Sequence, residues 1–345
     1  MLSPSWCAPA HFPDIHEQAL RRIRAVLELE PVEFPTTRRP GTATERAADL
    51  MAAFADPTIR AIFATIGGDD QITLIRHLDP GVVRSDPQPF FGYSDNTNVL
   101  NWLWRHGVGG YHGGSTQVHL GPGPQPDDVH LTTLRAALFG GGDVPITPLP
   151  ASADSGVPWA DPGVLATPTL LEATAEGWSW HGARLVVRGP TWGGNLEVLQ
   201  WVLAAGHAHP DPAAYDGCVM LLETSEERPG APEVTRMMRV LGERGLLERA
   251  GAVLLARAKA SEHDDDPGPA ARADYRRAQR SSVLDVMARY APDVPTVVGV
   301  EFGHTHPQWV LPYGGEMTVD SAAQRITAHF GGAPERGEHP QAQVR

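Results

Sequence analysis

Short apolar runs that end in glycine or a polar residue recur along this chain of 345 residues. The clearest are "IRAIFATIGGDD", "PFFGYSDNTN", "DGCVMLLETSEE" and "TVVGVEFGHTHP". Such runs are typical of buried strands, and their alternation with helical patterns predicts an α/β protein with a parallel, doubly wound sheet. Ligands in such sheets bind where strands end, so the residues that close these runs are the first candidates for function.

The segments between the runs suggest two domains. Residues 42–54 repeat apolar side chains at helical spacing, and Thr42 and Glu45 are spaced as a capping box, so a helix is predicted there. Residues 121–165 are rich in proline, glycine and aspartate and lack periodicity, which predicts a linker or a long functional loop. The expected division is an N-terminal domain at 1–140, a linker or active-site loop at 141–183, a C-terminal domain at 184–330 and a disordered tail at 331–345.

Charge and cysteine content narrow the classes of partner. The net charge of −13 opposes binding to nucleic acid or an anionic membrane, because both would repel an acidic surface. Cys7 and Cys218 form no Cys-x-x-Cys pair, so neither a disulfide framework nor a cysteine zinc site is indicated. The first residues lack the basic and apolar segments of a secretory signal. We therefore expect a cytoplasmic protein that acts on small molecules or short peptides.

Ser94 lies where "PFFGY" passes into a predicted helix. Taken alone, it is most simply the N-cap of that helix, since Ser, Asp, Asn and Thr are all favoured there. A hydrolase nucleophile uses the same sharp turn, with small residues beside it and backbone N–H groups to hold an oxyanion. Gly92 fits that pattern, whereas Asn96 stands where Gly-x-Ser-x-Gly has its second glycine. The residues alone leave both roles open.

A serine nucleophile needs a base, an acid that orients the base, and oxyanion donors. His304 directly follows "VVGVEFG" and Glu223 closes "CVMLLE", so both occupy the ends of predicted strands. Gly67 and Gly68 end another strand, where glycine permits a simple turn or the close approach of a backbone N–H to the serine. Each residue has an ordinary alternative as a turn or surface residue, and spacing alone does not join them.

A metal site is the rival hypothesis. The candidate ligands are the His-x-His pairs at 207–209 and 304–306 and the acidic run at 262–266. Pro210 and Pro307 place both histidine pairs in turns, and no second ligand set on a strand accompanies them. The metal hypothesis therefore ranks below the serine hypothesis.

The order of the segments is more specific than any one of them. "SPS" near the N-terminus is followed by "IFATIGGDD", "FFGYSDNTN", "GGNLEVL", "VMLLETSEE" and "EFGHTHPQWVLPYG". In this order they resemble the LD-carboxypeptidase and microcin C immunity family of serine peptidases over residues 1–328. The resemblance implies a Rossmann-like N-terminal domain, similar to class I glutamine amidotransferases, a smaller C-terminal α/β domain, and a homodimer that needs no cofactor and no metal.

The resemblance also assigns site residues by matching motifs. "GYSD" makes Ser94 the nucleophile, "LLE" makes Glu223 the acid, and "FGH" makes His304 the base of a Ser-Glu-His triad. The implied oxyanion hole consists of the N–H groups of Asp95 and Gly68.

Three further residues are candidates to contact the substrate. Asn195 in "GGNL" is the contact that the resemblance implies. Trp159 and Trp180 belong to a group of tryptophans in or near the loop region. Most of these are expected to be packing residues, but one or two could stack on a planar ligand group, because an aromatic face is a rigid platform.

Two features favour the microcin C immunity branch of the family. "IGG" stands where cell-wall LD-carboxypeptidases have "RGG", and the segment between "HGG" and "GGNL" is long and carries tryptophans. "YHGGS" at 111–115 departs from the His-Gly-Pro of many members and alters the expected pocket wall.

The expected reaction is hydrolysis of an amide near the C-terminal end of a peptidyl- or aminoacyl-nucleotide antibiotic, which would give immunity. One alternative is removal of the terminal D-residue from murein tetrapeptides during cell-wall recycling. A noncatalytic protein that sequesters a toxin and a metal-dependent hydrolase also remain open.

Overall fold

The computed structural model describes residues 1–174 and 176–331. Within this part the helices are α1 (Ala8–His11), α2 (Pro13–Leu27), α3 (Ala43–Ala55), α4 (Pro80–Ser85), α5 (Thr97–Arg105), α6 (Asp128–Phe139), α7 (Leu196–Ala204), α8 (Ala231–Glu243) and α9 (Pro269–Tyr290). The strands are β1 (Ile62–Phe63), β2 (Phe90–Gly92), β3 (Gly110–His112), β4 (Gly142–Ile146), β5 (Ala151–Ser152), β6 (Glu172–Ala173), β7 (Ser179–His181), β8 (Val186–Asn195), β9 (Val219–Glu223), β10 (Ala252–Ala256), β11 (Thr296–Val300), β12 (Leu311–Tyr313), β13 (Glu316–Asp320) and β14 (Arg325–Phe330).

Helix α3 confirms the helix predicted over residues 42–54. The side chain of Thr42 accepts a hydrogen bond from the backbone N–H of Glu45. The carboxylate of Glu45 in turn accepts one from the backbone N–H of Thr42 at 2.8 Å. Both bonds satisfy N–H groups that the first turn of a helix leaves unpaired, which is why the capping box fixes where α3 begins.

The smaller sheet carries the turn that contains Ser94. Its strands lie in the order β1, β2, β3 and β12, with the first three parallel and β12 antiparallel to β3. Ile62 pairs with Phe90, and Phe91 pairs with Tyr111. The loops that follow β1, β2 and β3 therefore meet at one edge of the sheet. Ser94 lies in the middle loop, which follows β2.

The larger sheet carries the turns that contain Glu223 and His304. Its strands lie in the order β4, β14, β13, β8, β9, β10, β11 and β7. Strands β8 to β11 are parallel, whereas β13, β14, β4 and β7 pair antiparallel at the two margins. The centre of the sheet is parallel, as predicted, whereas its antiparallel margins make the whole sheet mixed.

The two faces of the larger sheet are covered by different elements. Met220 and Leu222 join a core cluster with side chains of α7, α8 and α9, whereas Val219 and Leu221 join a second cluster with α2, α6 and β13. The expected doubly wound arrangement is corrected here: β8 to β11 are adjacent in chain order, so crossovers of one hand place their helices on one face. Doubly winding requires a reversal of strand order, which this sheet lacks among its parallel strands.

The segment expected to be a linker or active-site loop contains regular structure. Within 141–183, β4 and β7 form the opposite edges of the larger sheet, and β5 pairs with β6. Helix α6 lies within 121–165, where the proline- and glycine-rich flanks obscured its period. The division into domains remains a prediction. The predicted disordered tail at 331–345 lies, beyond its first residue, outside the described residues.

No described helix is suited to crossing a membrane. Helix α9 is long, with 22 residues, but it is largely charged and polar. Across 1–174 and 176–331, no helix combines the length with the apolar composition that a membrane span requires.

Candidate active site

Ser94 occupies a strained turn directly after β2. Its φ of +61° lies in the left-handed region, which a residue with a side chain seldom adopts and which is often found at functional sites. Gly92 has no side chain, and this leaves room for Asn96. A Cβ on Gly92 would lie only 2.7 Å from the Cβ of Asn96. The amide of Asn96 donates to the carbonyl oxygens of Ile66 at 3.1 Å and Tyr93 at 3.0 Å. Asn96 therefore braces the turn at the position where the hydrolase motif has a glycine.

The alternative role of Ser94 as a helix cap finds no support in this geometry. The short 3₁₀ turn Ser94–Asn96 and helix α5 both begin without a side-chain capping bond. Among the described residues, the hydroxyl of Ser94 accepts no capping hydrogen bond from a backbone N–H. The hydroxyl is instead held at the strand end by its left-handed backbone, as a nucleophile elbow requires.

The glycine turn after β1 lies against Ser94. A Cβ on Gly67 would come within 2.9 Å of the Cβ of Ser94 and 3.3 Å of the backbone nitrogen of Asp95. The φ of Gly68 is +154°, and its missing side chain leaves the space that Ser5 and the backbone of Trp6 occupy. Gly67 thus lets the backbone before Gly68 approach the serine closely, and the N–H groups of Gly68 and Asp95 stay the predicted oxyanion donors.

The carboxyl group of Asp95 fixes the backbone beside Ser94. It accepts hydrogen bonds from the hydroxyl of Ser5 at 2.5 Å, the backbone N–H of Gln71 at 2.9 Å and the amide of Asn98 at 2.9 Å. Burial raises the pKa of Asp95, although the bonds from Ser5 and Gln71 act against that shift. Because three partners hold the side chain of Asp95, the backbone N–H of the same residue has little freedom to turn.

Glu223 and His304 form a hydrogen-bonded pair at the carboxyl edge of the larger sheet. Nδ1 of His304 lies 2.6 Å from Oε2 of Glu223, whose side chain is fully buried. Nε2 of the same ring lies 3.1 Å from the carboxylate of Glu226, whose side chain is 55% exposed. Burial alone would lower the pKa of His304, but the charge and hydrogen bond of Glu223, together with Glu226, raise it to about 10.

The ring of Tyr93 connects the serine turn to the histidine. Its centroid lies 4.9 Å from that of His304, so the residue next to Ser94 contacts the imidazole directly. Nε2 of His304 faces Glu226 and forms no hydrogen bond with the hydroxyl of Ser94 in this structure. Hydrogen bonds of this kind are often long in a free enzyme and tighten when the substrate binds. In this arrangement the carboxylate of Glu226 occupies the position next to Nε2 of His304.

Asn195 connects the larger sheet to the start of helix α5, beside Glu223. It closes β8, where it pairs with Glu223 on β9. Its side-chain oxygen caps α7 by accepting from the N–H of Val198 at 2.9 Å, and its own N–H donates to the hydroxyl of Thr97 at 3.0 Å. Its side-chain nitrogen is buried and has no partner among the described residues. That nitrogen is the atom with which Asn195 could contact a substrate.

The two predicted tryptophans lie in different places. Trp159 stacks parallel on Trp6 with ring centroids 6.4 Å apart, and Trp6 donates its backbone N–H to the carbonyl of Gly67. Trp180 belongs to the edge strand β7 and pairs with Val297 of β11. This position is away from the carboxyl ends of the parallel strands. The structure therefore brings Trp159, but not Trp180, near the glycine turn beside Ser94.

Two acidic residues at the site, Glu226 and Glu197, escaped the sequence analysis. Glu226 reads as one more acidic residue in a solvated turn, and nothing in "ETSEE" indicates which carboxylate faces the histidine. Glu197, in the first turn of α7, accepts hydrogen bonds at 2.8 Å from both the backbone and the hydroxyl of Ser225. Burial raises the pKa of Glu197 to about 7. In the sequence, a glutamate at the start of a helix indicates only a favourable interaction with the helix dipole. The local sequence therefore does not predict that Glu197 is buried.

The departure at 111–115 leaves a compact wall beside the serine turn. Gly113 and Gly114 have φ values of +116° and +82°, which a proline could not adopt. The hydroxyl of Ser115 donates to the carbonyl of Thr65 at 2.6 Å, so this loop is tied to the end of β1.

The histidine pairs of the metal hypothesis lie apart. His207 and His209 follow α7, whereas His304 is bonded to two carboxylates and His306 pairs through its backbone with Ala153. Among residues 1–174 and 176–331, no group of three or more His, Cys, Asp or Glu side chains is arranged to hold a metal ion.

A left-handed serine elbow and a Glu-His pair at neighbouring sheet edges define the class of serine hydrolases. The comparisons with known proteins specify the family. Residues 1–113 match the LD-carboxypeptidase N-terminal domain, and residues 188–319 match the LD-carboxypeptidase C-terminal domain. The chain belongs to the LD-carboxypeptidase family and is a serine peptidase.

Similar proteins carry carboxypeptidase and immunity names. A carboxypeptidase-named protein of Vibrio cholerae is 27% identical over 92% of this chain and 90% of its own. The microcin C7 self-immunity protein MccF of Escherichia coli is 24% identical over 84% of this chain and 79% of its own. A protein of Bacillus subtilis named as a murein peptide carboxypeptidase is 24% identical over 84% and 78% of the two chains.

Solved structures of related proteins share the fold. MccF in complex with aspartyl sulfamoyl adenosine superposes with a TM-score of 0.79 at 21% identity, over 95% of this chain and 94% of its own. An MccF-like protein from Streptococcus pneumoniae in complex with AMP has the same TM-score and identity, over 95% and 97% of the two chains. These relatives bind small molecules, and their fold is the fold of this chain.

Proposed function

We propose that Ser94, His304 and Glu223 form a catalytic triad that hydrolyses an amide bond near the C-terminal end of a peptide-like substrate. The observation that carries this proposal is the 2.6 Å bond between Glu223 and His304, with the ring of Tyr93 linking the histidine to the serine elbow. Glu223 orients the imidazole and stabilises the imidazolium that forms during the reaction.

The proposed reaction begins when a substrate displaces the carboxylate of Glu226 from Nε2 of His304. That nitrogen then accepts the proton of Ser94 as the hydroxyl attacks the carbonyl carbon. The N–H groups of Gly68 and Asp95 stabilise the tetrahedral oxyanion. His304 gives the proton to the leaving amine, and water hydrolyses the acyl-enzyme with the histidine again as base.

The leading substrate is a peptidyl- or aminoacyl-nucleotide of the microcin C kind, whose cleavage would give immunity. The similarity to MccF, which binds aspartyl sulfamoyl adenosine, supports this choice. The parallel pair of Trp6 and Trp159 beside the glycine turn offers an aromatic face for a planar base. The second candidate is the terminal D-residue of a murein tetrapeptide, which the similarity to the Bacillus subtilis protein supports.

The domain division at 1–140, 141–183 and 184–330 is part of the same proposal, as are a homodimer and a cytoplasmic location. The two family matches fall within the first and last of these ranges, which supports the division. Light scattering of the purified protein measures the assembly, and a monomer at working concentration would contradict the dimer.

Product analysis with two substrates tests the proposed function. Wild type and Ser94→Ala are each incubated with an aminoacyl sulfamoyl adenosine and with a murein tetrapeptide, and the products are followed by mass spectrometry. We expect the wild type to cleave the sulfamoyl adenosine faster and the variant to cleave neither. Faster release of the terminal D-residue would assign the recycling reaction instead.

The same experiment separates the remaining classes of function. Binding without cleavage by both proteins would indicate sequestration, because removing one hydroxyl leaves the pocket largely intact. Loss of cleavage on treatment with EDTA, with no effect of Ser94→Ala, would indicate a metal-dependent hydrolase.

A further inference from the structure

A cavity of about 330 Å³ lies beside, but not at, the proposed triad. One wall comes from the segment that contains β5 and β6, and the opposite wall comes from the first turns of α9. Arg257 lines the cavity directly after β10, at the carboxyl end of a parallel strand. This is the edge of an α/β sheet at which ligands bind.

Arg257 is the unpaired charge of this cavity. The acids that line it already have cations: Asp154, Glu172, Glu176 and Glu262 each lie within 4 Å of an arginine or lysine other than Arg257, and Asp266 approaches Arg272 at 3.7 Å. Among the described residues, no carboxylate lies within 4 Å of the Arg257 guanidinium. Its Nε is buried and has no hydrogen-bond partner there. Within the described part of the chain, the guanidinium of Arg257 is therefore the one in the lining that has no carboxylate in contact.

A guanidinium in this position is costly unless an anion pairs with it. Burial lowers the pKa of Arg257, and the neighbouring charge of Arg276 acts in the same direction. The charges of Asp154, Glu301 and Glu176 act against this shift without any of them pairing with Arg257. An arginine nevertheless stays charged under all ordinary conditions, so it cannot escape the cost by losing its proton. Its planar group with several N–H donors matches the paired oxygens of a carboxylate or a phosphate.

The cavity is connected to the proposed base through the backbone. Ala153, which lines it, exchanges two backbone hydrogen bonds of 2.8 Å with His306. His306 is two residues beyond His304. Ala256, which precedes Arg257 in the chain, lies against Gly303, the residue before His304. A Cβ on Gly303 would come within 3.0 Å of the Cβ of Ala256. A ligand in the cavity would therefore touch segments that border the histidine.

We propose that this cavity is an oxyanion-binding subsite in which Arg257 pairs with a carboxylate or phosphate group of a small molecule. The ionic pairs around it hold the walls in place, and Arg257 supplies the charge that recognises the ligand. The subsite does not depend on the identity of the triad, because none of its lining residues belongs to the triad.

Calorimetric titration of the full chain tests the subsite. The probes are inorganic phosphate in one arm and N-acetyl-D-alanine in the other, and the protein is Ser94→Ala, so that binding is measured apart from turnover. We expect saturable binding of at least one probe to this parent. Adding Arg257→Gln to the parent should lower the affinity tenfold or more. Tighter binding of phosphate would assign a nucleotide-like ligand, and tighter binding of the carboxylate would assign a peptide end.

Two further variants make the result specific. Ala273→Phe fills the cavity from α9 without removing a charge, and we expect it to abolish binding even if Arg257→Gln proves unstable. Arg277→Gln removes an exposed arginine of the same helix and is expected to bind as the parent does. The proposal is overturned if neither probe binds at millimolar concentration, or if a folded Ala273→Phe variant binds as tightly as the parent.

Discussion

The turn that contains Ser94 and the turn that contains Glu226 differ in how firmly the protein holds them. Beside the serine, the buried side chains of Asp95 and Asn96 have partners on three different segments. Beside the histidine, Glu223 is fully buried, whereas Glu226 is more than half exposed and, within 1–174 and 176–331, pairs only with the imidazole. The turn of Ser94, the proposed nucleophile, is therefore held firmly, whereas Nε2 of His304, the proposed base, is covered by one exposed carboxylate.

The largest expected effect is the loss of the buried Glu-His pair. Glu223→Gln should lower kcat by about 10⁴, because the amide no longer stabilises the imidazolium or fixes its tautomer. His304→Gln should be at least as inactive. Steady-state kinetics measure both variants, with the exposed His77→Gln as the control. A loss below tenfold in Glu223→Gln would show that the pair is structural.

The next effect comes from the preorganised side. In Gly67→Ala, the new methyl group would lie 2.9 Å from the Cβ of Ser94 and 3.0 Å from its hydroxyl. We expect kcat to fall by about 10²–10³, the cost typical of a disturbed oxyanion hole. Gly177→Ala is the matched control, because a Cβ there would meet nothing within 4 Å. Equal activity of the two variants would contradict a role for the glycine turn.

Unlike the two preceding changes, which lower activity, Glu226→Gln is expected to raise kcat/KM at neutral pH by shifting its pH dependence. A base must be unprotonated to act, and the two carboxylates raise the pKa of His304 to about 10. Removing one charge lowers that pKa, so the acidic limb of kcat/KM moves to lower pH. Each unit of this shift raises the unprotonated fraction at pH 7 about tenfold. Glu227→Gln is the control, and an unchanged pH profile in Glu226→Gln would mean that the contact does not govern the base.

The smallest effect concerns stability behind the site. Burial lowers the pKa of His112, which contacts Tyr93, to about 4 from its ordinary 6.5. The unfolded chain therefore binds this proton first, and the stabilisation present above pH 6.5 is lost as the pH falls towards 4. From pH 7 to pH 5 the loss is about 1–2 kcal/mol.

The variant His112→Phe removes this titration. It should lose less unfolding free energy than the wild type over the same pH interval, as measured by urea unfolding at the two pH values. His11→Gln serves as the control, since His11 lies in the exposed turn of α1. Parallel losses in His112→Phe and the wild type would contradict the assignment.

How much of this comparison can be read from the sequence depends on the range of each interaction. The capping box of Thr42 and Glu45 is local, and so is the strand-to-helix turn at Ser94, so both are predictable. The pairing of Glu223 with His304 spans 81 positions and follows from the resemblance to the family, not from spacing. The contact of Glu226 depends on a side-chain direction that no local pattern encodes.

The sheet illustrates the same limit. Short apolar runs predict strands, but they do not contain the strand order that decides on which face the connecting helices lie. Strands β4 and β7 were missed because both lie at edges and lack the buried apolar run of β9 and β10. Strand β4 contains glycine, aspartate and proline, and β7 has only three residues.

Intact-mass measurement after incubation with a fluorophosphonate probe tests the central claim most directly. The claim is that Ser94 is a nucleophile prepared by its own turn and activated by His304. We expect one covalent adduct on the wild type, none on Ser94→Ala, and an undiminished adduct on the exposed-serine control Ser85→Ala. An adduct that persists in Ser94→Ala, or a wild type that does not react while it hydrolyses substrate, would contradict the account.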